Sequence, residues 1–355
     1  MRYNINLCEQ YVSNILDSYN YSPIIGENLE NSILNTLIGT TGTVRLGAKP
    51  SIQTQTEILK RIHEKVRNRK QLVISSAWGT IKTLPLKNRS VDIAEYLALK
   101  QFLALSNAIK KVYPPGVCFN IFLGDSYYKY LYGTDPDIEK YCEDMEKLAM
   151  PYDELRVIRL STLCKKNVNW EQQCKVNFEV LYKYWIDTEG LLSEQHENRL
   201  SYKEVNTLGW VGKITPAMRE FYLKRMAQLY PSESYEFWVK KIVDFFAYGL
   251  MISQNDLMGR KSIKTSTVDA CLLRVPPPDL PRGLYSNRLR FRISPEAVMK
   301  SSAPPWTVSG IIKLEGYNPK IHLVNGNMLK RMDLSGTKYI TMKLMNNAYI
   351  NVPII

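Results

Sequence analysis

Three histidines in 355 residues leave little room for imidazole chemistry. His63, His196 and His322 are scattered singly. The six cysteines (Cys8, Cys118, Cys142, Cys164, Cys174 and Cys271) form no CxxC pair and no metal-ligand spacing. A zinc finger, an HExxH helix or a catalytic Cys-His signature cannot be assembled from this set. The cysteines read as reduced core residues of a cytoplasmic protein. The longest apolar run, Phe245–Ile252, falls far short of the roughly 20 residues a membrane helix needs. The first twenty residues lack the charged start, apolar centre and small-residue cleavage site of a secretory leader. GxGxxG after a strand, GxxxxGK[ST] and GxSxG are all missing, which leaves a dinucleotide fingerprint, a P-loop and a serine-hydrolase elbow without support. The expectation is a soluble, cytoplasmic chain, either a cofactor-poor enzyme or a binding protein.

What is abundant is positive charge. Lysine and arginine number 47 against 34 acidic residues, a net charge of +13. From Asp256 onward the counts are 15 basic against 6 acidic, so this stretch carries +9 of the excess. Such a balance points to an anionic partner: nucleic acid, an acidic membrane or a phosphorylated small molecule. No DNA- or RNA-binding motif accompanies it. Hydrophobic residues make up 45% and charged residues 23%, the composition of a globular chain with a sizeable core.

The patterning divides the chain into four regions. Residues 1–70 are helical, with amphipathic stretches at Leu29–Ile38 and Thr56–Lys70. Residues 71–168 alternate. Leu72–Ile74 is a β-branched run ending in a loop, and Val91–Val112 has helical apolar spacing stopped by Tyr113-Pro114-Pro115-Gly116. Val117–Leu123 is a second strand, Asp137–Met150 a helix and Leu155–Leu160 a third strand. This order predicts a mostly parallel, Rossmann-like α/β sheet. Residues 169–262 form a helical insertion whose Phe237, Trp238, Phe245 and Phe246 read as core. Residues 263–355 form a β-rich portion, with strands expected at Val268–Val275, Arg288–Ile293, Thr307–Leu314, Ile321–Val324 and Tyr339–Leu344.

Ligands of open parallel sheets bind outside the carboxyl ends of the strands. Three segments fall there: Ser75–Arg89, Gly124–Tyr130 and Ser161–Lys166. The first supplies Lys82, Lys87 and Arg89 in a loop entering a helix, a combination suited to phosphate or carboxylate. The second supplies Asp125, which follows an uncharged strand and Gly124. Its carboxylate could cap a helix, orient an ammonium or polyol, or act as a base. Farther on, Arg288, Arg290 and Arg292 alternate along one strand and share a face, with Arg260 and Lys261 upstream. Guanidinium groups so placed bind phosphate or carboxylate bidentately, unless they form a solvated basic face.

The order of these features resembles the pyoverdine/dityrosine biosynthesis family, the isocyanide (isonitrile) synthases. The resemblance rests on Ala77-Trp78 with Lys82, on Asp92, Ala94 and Glu95, on Tyr113, Pro115 and Gly116, and on Asp125. It is looser over the arginine strand and Pro305-Trp306. The loop Trp78-Gly79-Thr80-Ile81-Lys82 and Thr307 after Pro-Trp depart from the family pattern. The resemblance implies an enzyme that converts the α-amine of an amino acid, Tyr- or Trp-like, to an isocyanide. The carbon comes from ribulose 5-phosphate as co-substrate, without a metal or organic redox cofactor. It further implies Asp125 and Lys82 as catalytic residues. Lys87, Arg89, Glu95, Arg260, Lys261, Arg288, Arg290, Arg292 and Trp306 would then contact substrate or phosphate. Lys82 is expected to face a pocket that also receives an arginine from 288–292. Two rival readings are a related amine and sugar-phosphate condensation and a basic nucleic-acid-binding protein.

Overall fold

The structure is a computed structural model. It describes residues 5–39, 52–80, 91–126, 136–165, 169–188, 216–254, 263–264, 308–315, 318–325, 338–343 and 349–354. Three helices lead: α1 (Ile5–Ser18), α2 (Leu29–Gly39) and α3 (Ile52–Arg67). The α/β core follows as β1 (Leu72–Trp78), α4 (Ile93–Lys110), β2 (Val117–Leu123), α5 (Pro136–Ala149) and β3 (Leu155–Arg159). Next come the short α6 (Leu160–Lys165) and the long helices α7 (Trp170–Thr188), α8 (Pro216–Leu229) and α9 (Tyr235–Gln254). The two-residue β4 (Ile263–Lys264) precedes β5 (Val308–Glu315), β6 (Asn318–Asn325), β7 (Lys338–Lys343) and β8 (Tyr349–Ile354).

The first sheet has the order β3-β2-β1-β4, and all its pairings are parallel. Its register runs Leu72↔Val117 to Trp78↔Leu123 and Phe119↔Leu155 to Leu123↔Arg159. The central strand β2 is buried along both faces apart from the half-buried Asn120, as expected where helices cover each side. One turn sets this register. Gly116 sits at φ 65°, and a Cβ there would also lie 2.7 Å from the Lys110 Cγ. Its carbonyl accepts from the Leu72 amide at 3.0 Å, and Tyr113 donates to the Lys70 carbonyl at 2.8 Å. The Tyr-x-Pro-Gly element is thus the clasp that aligns β1 with β2.

The second sheet has the order β6-β5-β8-β7. Its β5–β6 and β7–β8 pairs are antiparallel, and β5 meets β8 in parallel at Ile312↔Ile354. Helix α4 lies between the sheets. It touches β2 and β3 on one side and β5 and β8 on the other, which explains why it is buried nearly all round. Among the described residues, no helix is long and apolar enough to cross a membrane.

Two of the differences from the sequence reading have a clear physical reason. Leu160 begins a helix rather than ending β3, because the backbone turns at Ser161 onto Asp125. Strand β8 carries Pro353, which hides it from a pattern search. The expected strands Val268–Val275 and Arg288–Ile293 lie outside the described residues.

Candidate active site at the carboxyl ends of the parallel sheet

Asp125 stands just beyond the end of β2 and is 1% exposed. Its Oδ1 accepts from the Ser161 amide at 3.0 Å, and its Oδ2 accepts from the Ser161 hydroxyl. The carboxylate therefore binds the β3–α6 junction to β2. Both of these partners are neutral. Among the described residues no lysine or arginine pairs with it, although a buried anion ordinarily demands a cation. Beside it, Ser126 and Tyr248 of α9 share a hydrogen bond between hydroxyls, and Tyr248 also meets the Cys164 sulfur at 2.9 Å. Trp170 closes edge-on over Tyr248, its ring centre 6.1 Å away. Burial drives the Tyr248 phenol well above the usual range, reinforced by the neighbouring thiol. It is a neutral hydroxyl at physiological pH.

The thiols around the site are held protonated. Burial raises the Cys142 thiol, and the Asp125 charge adds to the effect. Burial likewise raises Cys164, and it pushes Cys174 up to about 12. Cys8 and Cys118 shift in the same direction for the same reason. Thiolate is the reactive form, so a chromogenic disulfide reagent at pH 8 should modify these five cysteines slowly. Full reaction should follow the unfolding transition in denaturant. Rapid labelling of Cys164 in the folded protein, located by peptide mapping, would contradict this.

The other carboxylates of the region have structural partners. Asp92 caps α4, accepting from the Ala94 amide at 2.8 Å, and its own amide donates to Glu95 at 3.0 Å. The same Asp92 accepts from Ser309 Oγ at 2.6 Å, from the second sheet. Glu95 is fully buried and accepts from the Tyr141 hydroxyl at 3.0 Å. The helix N-terminus after β1 is where a doubly wound fold often holds phosphate. Here the chain's own Asp92 carboxylate fills it, and the Gly310 amide donates to that carboxylate at 3.4 Å.

Of the residues singled out in the sequence, the structure describes Asp125 at the sheet end and Glu95 in the capping box. Lys82, Lys87, Arg89, Arg260, Lys261, Arg288, Arg290, Arg292 and Trp306 lie outside the described residues. So does the pocket expected between Lys82 and the arginine strand. Ser161 and Thr80 fall in segments expected at the strand ends but were not singled out there, and Tyr248 was not anticipated. A tyrosine inside an apolar helix reads as core, and a serine or threonine at a strand end carries no pattern of its own.

The stretch from the loop before α4 through α7 holds Asp92, Glu95, Asp125, Ser161 and Cys164, and it is this stretch that is shared with known proteins. Residues 85–205 match the family model of the pyoverdine/dityrosine biosynthesis proteins. The match takes in about a third of the chain. The PvcA protein from Pseudomonas aeruginosa has a similar fold. The likeness covers 93% of this chain and 100% of that one, with 14% identity and a TM-score of 0.50. A tyrosyl-tRNA synthetase from Archaeoglobus fulgidus aligns over 74% of this chain and 63% of its own, at 11% identity and a TM-score of 0.33. A comparison with curated protein sequences gives no match. The residues carrying the resemblance are thus largely architectural: Gly116 and Tyr113 fix the register, and Asp92 and Glu95 fix α4.

Proposed function

We propose that the chain is an isocyanide synthase of secondary metabolism. It takes an amino acid, tyrosine- or tryptophan-like, and ribulose 5-phosphate, and it converts the α-amine to an isocyanide. The observation that carries this reading is a buried carboxylate, Asp125, that no cation among the described residues pairs, at the ligand-binding end of a parallel sheet. It lies within the segment that matches the biosynthetic family. An α-ammonium supplies the charge that the carboxylate lacks, and the dry surroundings strengthen the pairing.

Ser161 fixes the carboxylate's orientation through both oxygens, so a bound amine arrives in one place. To attack the ketone carbon the ammonium must first lose a proton. The N–C bond then forms, the ketone oxygen leaves as water, and both bonds from that carbon to its sugar neighbours must break, so that the other four carbons and the phosphate leave as separate products. Asp125 orients the amine while it is charged, and the neutral hydroxyls of Ser126 and Tyr248 stand beside it as donors and acceptors. Lys82, two residues past Thr80 in the sequence, is assigned to the anionic co-substrate.

Lys82→Ala should raise the KM for ribulose 5-phosphate by about 10-fold or more, the loss of one charge-assisted contact. The melting temperature and the amino-acid KM should change little. An unchanged ribulose 5-phosphate KM removes Lys82 from the site. The function itself is tested by incubating purified protein with ribulose 5-phosphate and a panel of amino acids, followed by mass spectrometry. An isocyanide product supports it, and a condensation product retaining the sugar chain would establish the related amine condensation instead. Thr307 and the Trp78–Lys82 loop, which depart from the family pattern, favour that second reading.

A further inference from the structure

The sheet order marks a second position, apart from Asp125, at which open sheets bind ligands. From β1 the chain steps to β2 and then to β3 in one direction, whereas β4 lies on the opposite flank of β1. The direction of winding therefore reverses between β1 and β4, and open α/β sheets bind ligands at the carboxyl ends where such a reversal occurs. Among the described residues β4 pairs with Ile74 and Ser75, and Gly79 and Thr80 follow the end of β1 at Trp78. Thr80 is fully buried, and among the described residues its Oγ1 has no hydrogen-bond partner. Buried hydroxyls are nearly always bonded, so an orphan at a ligand-binding end calls for a missing partner. The usual alternative anion site, the N-terminus of α4, is already filled by Asp92. In the sequence, the ten residues after Thr80 contain Lys82, Lys87 and Arg89 and no acid, which favours an anion.

We propose that the Thr80 hydroxyl is a donor to a phosphoryl oxygen, placed at the β1–β4 reversal to hold the phosphorylated co-substrate. The identity of that co-substrate as ribulose 5-phosphate rests on the function proposed above; the phosphoryl chemistry does not. The amine end of the reaction lies at Asp125 beyond β2 and the phosphate end beyond β1. The two substrates thus enter on neighbouring strands.

Thr80→Val keeps the shape and removes the hydroxyl, and Thr80→Ser restores it. Titration calorimetry on the full chain would measure ribulose 5-phosphate, inorganic phosphate and the amino acid separately, alongside the ligand-free melting temperature. Thr80→Val should weaken ribulose 5-phosphate and phosphate by about 10-fold or more, as expected for one hydrogen bond to a charged group. Thr80→Ser should stay within about twofold of wild type, and amino-acid affinity should not move. Because the hydroxyl has no partner among the described residues, the ligand-free melting temperature of Thr80→Val should be unchanged or higher. A drop of several degrees, or failure of that variant to fold, would mean a structural role and overturn the proposal. Equal phosphoryl affinity with and without the hydroxyl overturns it while leaving the synthase reading intact. Weakening confined to the amino acid overturns the phosphoryl assignment. Thr80-dependent binding of inorganic phosphate without binding of ribulose 5-phosphate upholds the proposal and removes the synthase reading. Binding of neither phosphoryl compound by wild type removes both.

Discussion

Asp125→Asn is expected to lower kcat/KM by at least about 100-fold, or about 2.7 kcal/mol of transition-state stabilisation. The protein should remain folded. The reason lies in the two contacts to Ser161. An amide oxygen can still accept from the Ser161 N–H, and the amide nitrogen can donate to the Ser161 hydroxyl where Oδ2 accepted from it. The junction between β2 and α6 therefore survives, whereas the negative charge that meets the substrate ammonium is gone. The loss should fall on the amino acid: its affinity weakens while ribulose 5-phosphate binding is kept. Asp125→Ala should behave differently, because it strands the Ser161 amide and hydroxyl in the interior. That variant should lose stability as well as turnover, by about 1–3 kcal/mol. Near-wild-type turnover by Asp125→Asn would leave the carboxylate a structural clasp and nothing more.

The second large effect is on stability, at Gly310. A Cβ there would lie 2.1 Å from Ile93 Cγ2 and 3.3 Å from the Ala94 amide nitrogen. The Ile93 methyl is attached next to the helix backbone and cannot swing away as a long side chain would. Gly310→Ala should therefore cost about 3 kcal/mol, the upper end of what overpacking costs. It would separate β5 from the first turn of α4 and weaken the Ser309 to Asp92 bond alongside it. Ile93→Ala removes the clashing methyl, so the double variant should be more stable than the sum of the two single losses. Chemical denaturation of the four proteins in a double-mutant cycle measures that coupling. An additive cycle would show that the two residues do not meet.

The parts of the fold legible in the sequence were those in which one short stretch decides its own structure. Val117–Leu123 carries no charge, has Asn120 as its one strongly polar residue and follows a proline-glycine turn, so it reads as a buried strand without knowledge of its neighbours. The same holds for Leu72–Ile74 and for the antiparallel strands around Ile311, Ile321 and Ile340. What could not be read depends on distance along the chain. Asp92 and Glu95 resemble substrate carboxylates or a helix cap equally well until Ser309, 217 residues away, is found on Asp92. Tyr248 sits in a strongly apolar helix and looks like core. Only its meeting with Ser126, 122 residues earlier, shows it to be part of the polar cluster. Strand β4 is two residues long and carries no pattern, yet it fixes where the sheet reverses. Asp125 was visible because a lone acid after an apolar strand and a glycine is unusual by itself. Its double bond to Ser161 was not.

The central claim is that this sheet end joins a carbon from a pentulose phosphate to an amino-acid nitrogen. Uniformly 13C-labelled ribulose 5-phosphate, incubated with purified protein and unlabelled amino acid, tests it most directly. The expected product shows the infrared stretch of an isocyanide, contains a single heavy carbon and is lost in Asp125→Asn. An isocyanide without label, or no labelled product from any amino acid in the panel, would contradict it.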